Sequence, residues 1–190
     1  MIRFIIGLGN PDVKYQGTPH NLGKVLVVRI VKDRGLQWES EGRYQVAKWG
    51  TVLLVLLPRD THMNTSGQDV RDFLRQHHCP PEQILICHDD FDLPLGTIRI
   101  REKGSPGTHN GLRSVTEHLG TENFPRLRLG IGPLPPGADP ADFVLDPSVI
   151  KENEKTVNAM VEKASEAIAV LLSEGIDAAM NRFNPHKAES

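Results

Sequence analysis

Short apolar runs and helix-spaced apolar stripes alternate along this chain, and glycine or proline closes most of them. Residues 2–6 (IRFII) form a brief apolar run ended by Gly7, Gly9 and Pro11, as in a buried first strand. A helix is predicted over roughly 21–34, with Gly35 just past its end. The stretch YQVAKWGTVLLVLLP (44–58) reads as two strands around Gly50, and Pro58 ends the second. Ser66 is a fitting cap for the next helix, whose Val70, Phe73, Leu74 and His77 share one face, and Pro80 and Pro81 bar its continuation. ILICH (84–88) is a buried strand by length and β-branched content, with Asp89 directly after it. TIRIR (97–101) alternates, setting Arg99 and Arg101 on one face and Ile98 and Ile100 on the other. A helix should start near Asn110 and run to about Leu119, before Gly120; RLRLGIG (126–132) is a further alternating strand and 133–140 a surface loop. Asp146 and Pro147 make an N-cap and N1 pair for a long helix striped by Val157, Met160, Val161, Ala164, Ile168, Leu171 and Leu172. Gly175 closes it, and a short helix around 177–183 completes the chain.

Strands interleaved with helices imply an α/β fold, and the hairpin-like 44–57 segment favours a mixed sheet over a purely parallel one. The expected architecture is a single domain over 1–190, with a mixed central sheet sandwiched between helices. Composition agrees: 38% hydrophobic and 24% charged residues are ordinary for a globular protein. Lys+Arg 22 against Asp+Glu 24 gives 22 − 24 = −2, so net charge points to no nucleic acid, although a local basic patch is compatible with one. Two cysteines, Cys79 and Cys87, are too few for a disulfide scaffold and fit a reducing compartment. The first residues run straight into a strand with no targeting leader, and no stretch is long and apolar enough to span a bilayer. A cytoplasmic location is expected.

Five polar residues beside strand-like or helix-starting segments carry the candidate chemistry: Asn10, His20, Asn64, Asp89 and Asn110. One histidine, one carboxylate and three amides can supply a base, the anion that orients it, and neutral donors for a carbonyl. That set suits attack of water on an activated acyl bond without a metal, a cofactor or a covalent nucleophile. Asp89 follows a buried strand, where a carboxylate needs a partner, and a histidine is a fitting one. Plainer readings exist for each. Asn64 and Asn110 also suit helix N-caps, and the arginines of 99–101 suit a solvated face. GLGNPD (7–12) lacks the third glycine of a dinucleotide-binding turn, and the HHC run at 77–79 has poor zinc spacing.

The same residues carry a family resemblance. GLGNP (7–11), Tyr15, T-x-HN (18–21), MNTSG (63–67), HDDFDLPLG (88–96), HNGLRS (109–114) and RLRLGIG (126–132) resemble peptidyl-tRNA hydrolases of the bacterial type, over nearly the whole chain. The resemblance implies a single α/β domain that hydrolyses the ester joining an N-blocked peptide to the 3′ ribose of tRNA. It makes His20 the catalytic base, Asp89 the residue stabilising its basic form, and Asn10 the discriminator of N-blocked from free aminoacyl-tRNA. Tyr15, His62, Asn64 and Asn110 fall at substrate contact positions, with Met63 lining the pocket. Arg101, Lys103 and Arg128 fall at basic contacts or their supports; Arg113, one turn into its helix, joins them in a candidate tRNA-binding patch. No metal is implied, peptidyl-tRNA is the expected partner, and a monomer is expected.

Three departures stand out. His62 replaces the usual Phe or Tyr, Pro19 replaces a common arginine beside the catalytic histidine, and KGSPGT (103–108) interrupts a run that is usually glycine-rich. Three rival readings carry less: a non-catalytic RNA-binding relative, a small-molecule esterase or amidase, and a dinucleotide-binding oxidoreductase. The esterase reading lacks a G-x-S-x-G nucleophile elbow.

Overall fold

The computed structural model describes residues 1–185. Seven strands make one mixed sheet: β1 (Phe4–Gly7), β2 (Trp38–Glu41), β3 (Tyr44–Trp49), β4 (Val52–Leu56), β5 (Ile84–Pro94), β6 (Ile98–Arg101) and β7 (Arg126–Gly132). Their spatial order is β2-β3-β4-β1-β5-β7-β6. The centre, β4-β1-β5-β7, is parallel, and both flanks are antiparallel. Among the described residues seven α-helices surround it: α1 (Leu22–Asp33), α2 (Ser66–Gln76), α3 (Asn110–Leu119), α4 (Pro140–Leu145), α5 (Ser148–Lys151), α6 (Glu154–Glu174) and α7 (Ile176–Phe183).

Period-two alternation in the strands divides the core in two. Ile5, Leu54, Leu85, Cys87, Ile98, Ile100, Leu127 and Leu129 pack with α1 and α6 on one face. Phe4, Ile6, Val55, Ile84 and Ile86 pack with Val70 and Phe73 of α2 and Leu112 and Val115 of α3 on the other. Helix, sheet and helix thus form three layers, and the expected mixed-sheet sandwich is observed.

Four local expectations change. β5 does not stop at His88 but runs to Pro94, so Asp89 lies inside the strand. Thr65, not Ser66, occupies the cap position of α2, and the Ser66 hydroxyl donates back to the His62 carbonyl at 3.3 Å. The long helix starts at Glu154; Asp146 instead accepts from the Ser148 amide at 2.8 Å, opening the single turn of α5. Strand β2 and helix α4, the latter capped by Asp139, have no counterpart in the sequence reading.

One close approach sets up the site. The Leu8 amide donates to the Cys87 carbonyl at 3.0 Å, and the Lys24 amide donates to the Leu8 carbonyl at 2.9 Å. Gly23 sits in that junction, where a Cβ would strike the Cys87 carbonyl and crowd the Leu8 amide. Its missing side chain lets the start of α1 lie against β1 and β5, which brings His20, three residues before, to Asp89, two residues after Cys87. Gly23→Ala should lower stability by about 1–3 kcal/mol, the usual overpacking cost. A chemical denaturation midpoint equal to that of the unsubstituted chain would show that the junction has room to spare.

Candidate active site

At the carboxyl edge of the parallel strands, where ligands of open α/β sheets collect, one buried carboxylate holds two imidazoles. Asp89, 1% exposed, takes His20 Nδ1 at 3.0 Å on Oδ1 and 3.1 Å on Oδ2, and His109 Nε2 at 3.0 Å on Oδ1. Burial opposes ionisation of Asp89, but the His109 and His20 rings outweigh it and hold its pKa well below the usual carboxylate range. An ionised carboxylate only accepts, so both facing nitrogens carry protons. His20 is then protonated on Nδ1 and presents the bare lone pair of Nε2, which makes no hydrogen bond among the described residues.

The second ring is fixed from behind. His109 is the N-cap of α3, and its Nδ1 accepts from the Leu112 amide at 3.1 Å. With Nδ1 an acceptor, its proton must sit on Nε2, facing Asp89. The His20 and His109 rings lie 4.6 Å apart, and the His88 ring stands 4.8 Å from that of His109. His88 Nδ1 meets the Asp89 carbonyl at 2.7 Å, while its Nε2 is buried without a partner among the described residues. Burial, with His109 beside it, pushes the His88 pKa down to about 3 despite Asp89 and Asp90. The ring is neutral in the folded chain. Its ordinary pKa is near 6.5, so below that pH the unfolded chain takes up a proton that the folded chain refuses. Stability should therefore fall as pH drops from about 6.5 toward 3, by an amount on the order of a few kcal/mol. Asp89, with its depressed pKa, adds a second loss only below its ordinary carboxylate range. Denaturation midpoints across this range should flatten in His88→Phe, and an unchanged slope would acquit His88.

The amide side of the site is built around Asn10. Its backbone amide donates to Asn21 Oδ1 at 2.7 Å, and its own Oδ1 accepts from the Met63 amide at 2.9 Å. The Asn10 NH2 group thus has no partner among the described residues and remains available as a donor. Asn21 also donates to the Tyr15 carbonyl at 3.0 Å, which ties the 10–15 loop to the start of α1. Met63 is buried against Gly111 of α3, so the turn carrying His62, Met63 and Asn64 meets the helix start carrying Asn110. His62 and Asn64 are exposed and Tyr15 half-buried. Neither Asn64 nor Asn110 is a helix cap: Asn64 lies in the 3-10 turn 63–65, and Asn110 is the first residue of α3.

A cavity of about 300 Å³ opens from His20, His88, Asp89 and His109 toward Asn110, Arg101, Lys103, Arg126 and Arg128. Register explains its basic wall. Across β6 and β7, Arg99 pairs with Arg128 and Arg101 with Arg126, while Ile98 and Ile100 face Leu129 and Leu127. Four guanidinium groups therefore share the sheet face opposite the one packed by α1 and α6. Like charges paired across strands destabilise a sheet unless an anion joins them. Asp90 supplies one, at 2.6 Å from Arg128 Nε. Arg113 is exposed, does not line the cavity, and donates to the Gly107 carbonyl at 3.3 Å.

The structure thus gathers His20, Asp89, Asn110, Arg101, Lys103 and Arg128 around one cavity, with Asn10 and Met63 joined to each other beside it. The sequence reading passed over His109, Asn21 and Arg126. A usable signal was present for the first two: the pair His-Asn occurs at 20–21 and again at 109–110, each at the start of a helix. His20, Asp89 and His109 also offer ligand atoms within 4.8 Å of one another, a set able to hold a metal ion. An ion there would displace the two protons that now bridge the rings to the carboxylate.

A three-layer α/β protein with an imidazole–carboxylate pair at the strand ends, amide donors on one side and a basic sheet face on the other has the build of a hydrolase for an anionic acyl ester. Comparison with known proteins is specific: the peptidyl-tRNA hydrolase family model matches residues 4–190, and the chain belongs to that family. Peptidyl-tRNA hydrolase of Methylacidiphilum infernorum is 42% identical over 186 residues, covering 97% of this chain and 98% of the relative. That of Symbiobacterium thermophilum is 42% identical over 189 residues, covering 97% and 100%. A solved variant of the Acinetobacter baumannii peptidyl-tRNA hydrolase superposes with TM-score 0.86 at 33% identity, covering 98% of this chain and 96% of that one. No helix among the described residues is long and apolar enough to cross a membrane.

Proposed function

We propose that the chain hydrolyses the ester between an N-blocked peptide and the 3′ end of tRNA, with His20 as general base. Family membership carries the reaction class. The observation that carries the mechanism is the free Nε2 of His20, whose opposite nitrogen is tied to the buried Asp89. Nε2 removes a proton from water as the water oxygen attacks the ester carbonyl, and Asp89 stabilises the imidazolium that forms. Collapse of the tetrahedral intermediate breaks the bond to the ribose oxygen, and the imidazolium returns its proton to that leaving group. Carboxamides of Asn64 or Asn110 stabilise the oxyanion or bind the peptide backbone. The unused NH2 group of Asn10 meets the carbonyl of a blocked amino group, a group that free aminoacyl-tRNA lacks. Tyr15, His62 and Met63 line the approach of the peptide and the terminal nucleotides.

Arg101, Lys103 and Arg128 serve as phosphate contacts, with the exposed Arg113, outside the cavity, as a further cation for the tRNA. Three such contacts should make log affinity for tRNA fall with log salt at a slope of roughly −2 to −3. Arg128→Gln should reduce that slope by about one, and a salt-independent affinity would remove the basic face from binding. The protein is read as a cytoplasmic monomer, a state that sedimentation tests directly. Hydrolysis of an N-acetyl amino ester with and without its tRNA separates this reading from a simple esterase. Equal kcat/KM on both would favour the esterase.

A further inference from the structure

Arg126 has no part in the reaction described above, yet among the described residues it is the largest fully buried side chain, and it lines the same cavity as His20. Among the described residues its guanidinium meets no carboxylate. It donates instead to three backbone carbonyls: Ser105 at 3.3 Å, Glu122 at 2.9 Å and Phe124 at 3.3 Å. It also lies 4.3 Å over the Phe124 ring. Burial and Arg128 depress its pKa to about 10, with Glu122 opposing, so the group remains cationic at neutral pH. Arg101 stands directly opposite it on β6, and Arg128 lies two residues along on β7. Burying a cation beside two others, with carbonyls and one aromatic face but no carboxylate as partners among the described residues, is a costly way to fill a core.

Those carbonyls give the placement a use. Ser105 belongs to the irregular segment between β6 and α3, whereas Glu122 and Phe124 belong to the turn before β7. Otherwise that segment is held toward the turn by the Gly104 amide on the Glu122 carbonyl at 3.4 Å, a long bond. Its remaining ties, Arg113 on Gly107 at 3.3 Å, the His109 ring on Asp89 at 3.0 Å and the His109 amide on Pro106 at 3.3 Å, lie at its far end or within itself. The same segment carries Lys103 on the cavity wall and leads into His109 and Asn110. We propose that Arg126 is a positioning residue, whose fork clasps the 103–105 backbone to the β7 turn and so sets Lys103 against the acceptor-end phosphates. This rests on the tRNA reading above.

A single ammonium cannot span carbonyls on two segments as a planar fork does, so Arg126→Lys keeps the charge and loses the clasp. Two readouts are taken on Arg126→Lys and Arg126→Met: the rate at which trypsin cuts the Lys103–Gly104 bond in the folded chain, and the split of KM from kcat on N-acetyl-aminoacyl-tRNA. Both variants should be cut about tenfold faster, with KM raised about tenfold and kcat changed less than about threefold, the scale of one charge-assisted contact. Arg126→Lys behaving as the unsubstituted chain in either readout overturns the proposal, even if Arg126→Met fails to fold. Were the unsubstituted chain inactive on peptidyl-tRNA, the reading of the reaction would fall instead. Cleavage at Lys103 would still decide whether Arg126 holds the segment.

Discussion

His20→Ala should lose about 10²–10⁴-fold in kcat with little change in KM, because general-base assistance acts in the transition state and not in substrate binding. The fold should survive the change. Asp89 is buried, and a carboxylate left alone there would be severely destabilising. It keeps His109, whose proton is held on Nε2 by the Leu112 amide, so the carboxylate still has a donor. A rate loss accompanied by a cooperative unfolding transition close to that of the unsubstituted chain is therefore expected. Near-normal turnover by His20→Ala would assign the base elsewhere, with His109 the next group to test.

Asp89→Asn should be nearly as damaging, by a route that the two-ring geometry dictates. The carboxylate uses Oδ1 for His109 and both oxygens for His20. An amide has one acceptor and one donor end. His109 cannot change tautomer without losing the cap on α3, so it claims the carbonyl oxygen. The NH2 group then faces His20 Nδ1, which must become the acceptor, and the ring proton moves to Nε2. That is the wrong tautomer for a base, a change worth up to about 10⁴ in the serine-protease triad. Loss of the anion also disfavours the imidazolium, so the acid limb of the remaining activity should move to lower pH. Rates within a few fold of the unsubstituted chain, with an unmoved profile, would remove Asp89 from the mechanism.

The readable parts of this molecule are those in which one periodicity acts alone. The apolar face of α2, the alternation of β6 and β7 and the hairpin 44–57 are all legible, because burial on one face imposes the pattern directly. The arginines at 99 and 101 could be placed on one face from sequence. Their pairing with 128 and 126 could not, since register between distant strands is a tertiary property. Asp146–Pro147 carries a sound capping signal, yet it opens only α5, and the long stripe begins after Asn153 breaks the backbone. Asp89 is expected after a strand because the apolar run ILICH ends at His88. Two imidazoles satisfy it inside β5 instead. His109 escaped notice for a related reason: capping is ordinarily the work of short oxygen-bearing side chains, and a ring nitrogen performs it here.

Release of tRNA from N-acetylated aminoacyl-tRNA, followed over many turnovers beside the unblocked form and with a chelator present, is the most direct measurement. Sustained release from the blocked substrate and little from the free one is the expected result. Failure to release either, or release only when divalent metal is restored, would contradict a water-activating imidazole held by Asp89.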